Sequence, residues 1–131
     1  MKILCDTNVL GELARAKPNP GVLDWARKVT RMALSAVTLE EVRFGLAWKP
    51  NARATTWFDG FLKEFCDIVP VTSEIATFAG GLRGELQARG HSRTQADRLI
   101  AATAALHGMT LVTRNTRDFE GCNVRLLNPF S

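Results

Sequence analysis

An α/β fold with a central parallel sheet flanked by helices on both faces is the architecture this sequence predicts. Apolar runs of about four or five residues recur along the chain, and most are followed by a stretch whose apolar residues fall at helical spacing. The length sets the scale. In 131 residues, 46% of them apolar, there is room for one compact core and no second, so residues 1–131 read as a single domain. Ten glycines, five prolines, no internal repeat and no polar low-complexity tract exclude collagen-like, solenoid and wholly disordered chains.

The first run, Lys2 to Cys5, predicts a strand that stops at Asp6, and a helix follows from about Asn8 with Val9, Leu10 and Leu13 on one face. The segment PNPG at 18–21 breaks that helix, and 22–29 predicts a second one carrying Trp25 and Val29. LSAVT at 34–38 reads as a strand, with Thr38 opening a helix that passes Val42 and Gly45 toward Trp48. Pro50 and Asn51 interrupt it. A helix over 54–65 then presents Trp57, Phe58, Phe61, Leu62 and Phe65, and Ile68 to Val71 predicts a short strand.

From Ser73 toward Arg89 a long helix has Ile75, Phe78, Ala79, Leu82 and Leu86 as its apolar stripe, although Gly80, Gly81 and Gly84 weaken it and suggest close helix contact. Ser92 and Gln95 resemble a capping box for the next helix, which runs to a stop at Gly108. MTLVT at 109–113 predicts a strand, NTRDF a loop or single turn, and NVRLL at 123–127 a last strand ended by Pro129. In such a sheet ligands bind beyond the carboxyl ends of the strands, and Asp6, the 38–41 turn and the 113–118 loop fall at that edge.

Seventeen Lys and Arg against thirteen Asp and Glu leave a charge of +4, compatible with a polyanionic partner but common among ordinary domains. Arg83, Arg89, Arg93 and Arg98, with Arg114 and Arg117, read either as solvated surface or as a positive rim around an acidic pocket. Three cysteines without a close pair offer neither a zinc knuckle nor a disulfide framework, so they read as small buried residues in a cytoplasmic protein. No secretory signal and no apolar run of about eighteen residues is present, which predicts no membrane association. His91 and His107 are isolated, the glycines at 80, 81 and 84 lack a P-loop lysine, and neither H-E-x-x-H nor G-x-S-x-G occurs.

The acids carry the chemistry. Asp6, directly after a strand, is either a ligand for a hard cation, held by Asn8, or the cap of the following helix. Glu41 is either a ligand or the reaching-back member of a capping box with Thr38. Asp97 stands in the first turns of an otherwise apolar helix, where a ligand and a dipole-stabilising charge look alike. Their joint placement at helix starts would let the three converge, and a magnesium or manganese ion would relieve their repulsion while activating water for phosphodiester hydrolysis.

Four ordered segments carry a family resemblance: ILCDTN at 3–8, SAVTLEE at 35–41, DRLIAATA at 97–104 and TRNTRDF at 113–119. On these the chain resembles PIN-domain proteins, specifically the VapC-like toxins of bacterial toxin–antitoxin pairs, including the FitB-like branch. The resemblance implies a magnesium-dependent endoribonuclease with Asp6, Glu41 and Asp97 as its acids, Asp6 and Asp97 holding the metal, and Thr113 and Arg114 at ligand or substrate. A fourth acidic position of many relatives corresponds to Asn115, whose amide orients a ligand but adds no charge; Asp118 is the nearby carboxylate. Implied partners are RNA, a second copy of the chain, and a VapB-like antitoxin that covers the acidic pocket, often with an arginine near the ligands, and carries the pair to operator DNA. Trp48, Trp57, Phe58 and Phe61 read as core or as a groove for that partner. Asn115 also motivates a different class, a catalytically weak protein acting mainly in the DNA-binding repressor complex. A nuclease for structured DNA is a third reading.

Overall fold

The computed structural model describes residues 2–131. Five parallel strands, β1 (Ile3–Cys5), β2 (Met32–Ser35), β3 (Cys66–Val69), β4 (Thr110–Val112) and β5 (Leu126–Leu127), form one sheet in the order β3-β2-β1-β4-β5. Six α-helices connect them: α1 (Thr7–Leu13), α2 (Pro20–Arg27), α3 (Ala36–Trp48), α4 (Ala52–Phe65), α5 (Ser73–Ala88) and α6 (Gln95–Leu106). A 3-10 turn covers Thr116–Phe119.

Strand periodicity divides the core in two. Cys5, Leu34 and Val112 face Val9, Leu10, Val22 and Phe58 of α1, α2 and α4. Leu4, Ala33 and Leu111 face Leu86, Ile100, Ala101, Ala104 and Phe119 on the other side. Because both faces are covered, the central strands are buried and mostly apolar, with Ser35 and Thr110 as polar positions at their ends. The chain builds β1, β2 and β3 outward in one direction, then returns to lay β4 on the opposite side of β1. The crevice between β1 and β4 at their carboxyl ends is therefore the topological switch point of the sheet.

Several boundaries differ from the sequence expectation. The second strand spans Met32–Ser35 instead of 34–38, and α3 begins at Ala36 because the buried Ser35 hydroxyl accepts from the Val37 N–H at 3.1 Å. Thr38 thus lies inside the helix, fully buried, and forms no capping box with Glu41. Thr94, not Ser92, caps α6, accepting from the Asp97 N–H at 3.1 Å. Asn19 caps α2 with Pro20 at the first turn, so that helix starts two residues early. The third strand begins at Cys66, directly after α4, and stops before Pro70. The last is only two residues long, since Asn123 is in the left-handed region at φ 55°.

The glycines of α5 do not serve close packing: a Cβ at Gly80, Gly81 or Gly84 would meet nothing within 4 Å. Packing against α6 rests instead on Ile75, Ala79 and Leu86, while Phe78 of the expected stripe is exposed. Of the four aromatics left open between core and groove, Phe58 is buried and Trp57 stacks on Phe61 at 4.7 Å against the core, whereas Trp48 is 70% exposed. All three cysteines are buried and free. No helix among the described residues is long and apolar enough to cross a membrane.

Ser35→Ala removes the cap that starts the Glu41 helix and is expected to destabilise the fold by about 1 kcal/mol in urea unfolding, whereas Ser92→Ala at the unused position leaves the midpoint unchanged.

Candidate active site

Asp6 occupies the switch point and is 6% exposed. The expected helix cap and the expected hold by Asn8 are both present in one side chain. Oδ1 accepts the Thr7 N–H at 2.8 Å and so caps α1, while Oδ2 accepts the Thr113 hydroxyl at 2.8 Å and the Asn8 amide at 3.0 Å. The Thr113 hydroxyl, at the end of β4, also accepts the Asn115 N–H at 3.0 Å. Asn8 turns its carbonyl oxygen to the Arg114 N–H at 2.9 Å. These bonds tie the start of α1 to the loop after β4 across more than a hundred residues of sequence and fix the Asp6 carboxylate in one orientation.

Glu41 approaches from α3, where its Oε1 accepts the Thr7 hydroxyl at 2.7 Å. Asp97 lies in the first turn of α6 and α3 packs on α6, so Asp6, Glu41 and Asp97 share one electrostatic neighbourhood. Burial raises the Glu41 carboxyl, and the charges of Asp6, Asp97 and Glu40 raise it further against the Thr7 hydrogen bond. Burial likewise raises Asp97, opposed by Thr94 and Arg98 and reinforced by Asp118 and Asp6. Among the described residues no Lys or Arg forms an ion pair with any of the three.

The remaining expected residues lie on the rim. Asn115 is exposed, its side chain caps nothing, and its backbone alone joins the network. Asp118 is engaged by Arg93 at 3.0 Å, so its charge reaches Asp97 only partly compensated. Arg98 departs most from the expectation of a surface or rim arginine. It is 1% exposed and donates to the Asp118 carbonyl at 2.8 Å, the His91 carbonyl at 3.1 Å and the Cys122 sulfur at 3.1 Å. It pins the segments on either side of Asp97 to α6. Its sequence neighbours Leu99 and Ile100 gave the available signal, an arginine within an apolar helix, and the same is true of the Thr7 hydroxyl, visible only as a polar residue beside Asp6.

The donor set suits a hard divalent cation: oxygen only, negatively charged and without a basic partner. Among the described residues no three Asp, Glu, His or Cys side chains stand close enough to make a ready-made cage. The thiols are unsuited to nucleophilic chemistry: burial and the Asp6 charge push Cys5 well up, and burial pushes Cys66 up to about 11.

A doubly wound domain with Asp6 at its switch point and Glu41 and Asp97 in the same neighbourhood belongs to the class of α/β proteins whose functional residues gather at the carboxyl ends of the strands. The PIN-domain family matches residues 3–121, and the chain belongs to that family. VapC ribonuclease Y4jK of Sinorhizobium fredii is 34% identical over 98% of this chain and 97% of its own length. Toxin FitB of Neisseria gonorrhoeae is 32% identical over 98% of both chains. Among solved structures, VapBC2 from Rickettsia felis bound to a DNA fragment from their promoter superposes with a TM-score of 0.86 at 25% identity, covering 98% of both chains.

The raised carboxyls make a stability prediction. With native pKa values above the unfolded range, the folded state binds more protons, so stability falls as pH rises from about 4 through the raised values. Without divalent cations, Asp97→Asn is expected to melt above the parent near neutral pH, the gap closing toward about pH 4. Thermal melts across that range check it, and a gap independent of pH would remove charge as its cause.

Proposed function

We propose that this chain is the toxin of a toxin–antitoxin pair, an endoribonuclease that depends on magnesium or manganese. The observation that carries the reading is the Asp6 carboxylate, oriented by Thr7, Asn8 and Thr113 and left beside two further acids with no basic partner. The family relationship supports the same chemistry, since the relatives of similar length are ribonucleases and toxins by name. Asp6 and Asp97 would hold the cation, with Glu41 directly or through water. When bound, the cation lowers the pKa of water toward neutrality and offsets charge on the phosphate.

The chain's own residues do the rest. Thr113 and Asn8 keep Asp6 from rotating, and Glu41, raised by burial, is suited to accept a proton from water at the pocket mouth. Attack of that water in line on an RNA phosphodiester forms the new P–O bond and breaks the bond to the 3' oxygen, which takes the released proton. The products carry a 5'-phosphate and a 3'-hydroxyl. Arg114, on the loop after β4, joins this network through its backbone N–H, and its exposed side chain would contact substrate phosphate. Beside Glu41 an apolar cleft of about 300 Å³, lined by Leu10, Val42, Leu46 and Phe58, suits an apolar segment of the antitoxin lying against the pocket. The antitoxin complex would then reach operator DNA as its VapBC2 relative does promoter DNA.

Purified, antitoxin-free protein is expected to cut a total RNA pool with magnesium and not with EDTA, while parallel digestion of structured DNA gives no product. Asp6→Asn and Asp97→Asn should lower the rate by about a hundredfold or more, and Thr113→Val by about ten- to a hundredfold through loss of the Asp6 orientation. Magnesium should also raise the melting temperature of the parent and not of Asp97→Asn, a readout independent of turnover. The uncharged Asn115 favours a second reading, a repressor-complex component with little nuclease activity. Folded protein that cuts nothing with either metal, yet binds operator DNA tightly with its antitoxin, would establish that reading instead.

A further inference from the structure

Of the twelve arginines in this chain, six have their guanidinium groups engaged by carboxylates or backbone carbonyls. Arg15, Arg27, Arg31, Arg43 and Arg93 pair with Glu12, Asp24, Asp67, Asp59 and Asp118, and Arg98 is buried on backbone carbonyls. The other six, Arg53, Arg83, Arg89, Arg114, Arg117 and Arg125, show no carboxylate partner among the described residues, and Arg114 is set apart from them by its place beside Asp6 and its contact with an aromatic ring. It is exposed, has no carboxylate partner among the described residues, and its backbone N–H belongs to the Asp6 network through Asn8. Its guanidinium lies over the ring of Phe130, 4.8 Å from the centroid.

Phe130 is itself held from behind. It packs against the core on the α1 and α2 side of the sheet, and its N–H donates to the Asn128 side chain at 3.0 Å. Asn19, the cap of α2, accepts the Ser131 N–H at 3.0 Å and its hydroxyl at 3.2 Å, and donates to the Ser131 carbonyl at 3.2 Å. The approach is so close that a Cβ on Gly21 would stand 2.5 Å from the Pro129 carbonyl oxygen and 2.7 Å from the Ser131 nitrogen. Asn19 is in turn fixed by Glu12, which is 9% exposed and accepts the Asn19 N–H at 2.8 Å. Residues 128–131 therefore form a clamped platform with one aromatic face turned to the active-site edge.

An arginine resting on a ring loses side-chain freedom while its in-plane N–H groups stay free, the arrangement suited to bidentate capture of phosphate. We propose that Phe130 is a positioning residue for substrate: it holds Arg114 beside the acidic pocket so that the guanidinium takes the RNA phosphate next to the one being cut. The inference rests on the ribonuclease reading above. It assigns the 128–131 segment a part in RNA binding, not only in packing, and explains why an acidic pocket tolerates a polyanion at its mouth.

The test uses binding of a fluorescein-labelled single-stranded RNA of mixed sequence, read by anisotropy over a salt series in the full-length Asp97→Asn protein, beside KM and kcat on the same RNA in the otherwise wild-type chain. Arg114→Ala is expected to weaken binding about tenfold or more and to reduce the slope of log affinity against log salt by about 0.7, one phosphate contact on a single strand. Phe130→Leu keeps the apolar bulk and removes the ring face; it should raise Kd and KM about two- to fivefold with kcat and melting temperature little changed. The double variant should be no weaker than Arg114→Ala alone. Gly21→Ala, which leaves both partners intact and displaces the platform, should reproduce Phe130→Leu. Parent protein that binds and cuts RNA while Phe130→Leu matches it, or adds fully to Arg114→Ala, overturns this assignment alone. Parent protein that neither binds nor cuts RNA overturns it together with the ribonuclease reading.

Discussion

Thr113 donates its hydroxyl to Asp6 across the ends of two neighbouring parallel strands, and the site exists because the sheet places those strands side by side. Residues β1 and β4 pair as Ile3 with Thr110, Leu4 with Leu111 and Cys5 with Val112, so the next residue of each strand, Asp6 and Thr113, emerge together at the crevice. A shift of one residue in that register would turn both side chains to the opposite faces of the sheet. The flanking cores resist such a shift, since Cys5 and Val112 fill one face and Leu4 and Leu111 the other with no exposed area. Apolar packing thus sets the position of the first acid, and hydrogen bonds from Thr7, Asn8 and Thr113 set its orientation.

The other acids arrive on helices, and the surrounding basic groups are kept from neutralising them. Arg98, one residue after Asp97, would be the natural counter-ion, yet it points inward to the carbonyls of His91 and Asp118. Those carbonyls belong to the loop before α6 and the turn after β4, so the guanidinium fastens the walls of the pocket instead of filling it. Arg93 is likewise held by Asp118. Burial first, and repulsion from the neighbouring acids second, hold the Glu41 and Asp97 carboxyls above their ordinary values. Stability is given up locally at a pocket whose charge suits a cation and, through it, a phosphate.

The alternation of strand and helix, and the edge at which Asp6, Glu41 and Asp97 would lie, were legible because both follow from local periodicity and one topological rule. Helix starts were less so. Local pattern points to Thr38 as the start of α3 and Ser92 as the cap of α6, whereas the fold uses Ser35 and Thr94; in each case the choice depends on where the strand or loop before it is anchored, which is tertiary information. The same limit applies to arginine. The apolar neighbours Leu99 and Ile100 hint at a buried Arg98, but its partners are not local, since the carbonyls it meets lie seven and twenty residues away. Asp118 and Asn115 were legible as neighbours of the site, but the Arg93 pairing of one and the outward placement of the other needed the folded loop.

Charge also links the proposed activity to its proposed control. A pocket holding three carboxylates without a basic partner has two ways to lower its energy: take up a hard cation, which brings catalysis, or accept a basic side chain from outside, which fills the same charge deficit and activates no water. A partner that laid an apolar segment in the cleft beside Glu41 and reached a guanidinium toward Asp6 and Asp97 would compete directly with the cation. Among the described residues Arg93 and Arg98 are held by Asp118 and by backbone carbonyls and Arg114 rests on Phe130, so none of these three fills the pocket. Activity and inhibition are then alternative solutions to one electrostatic problem, and the buried arginine, which fastens the pocket walls through backbone carbonyls instead of pairing with an acid, leaves both open.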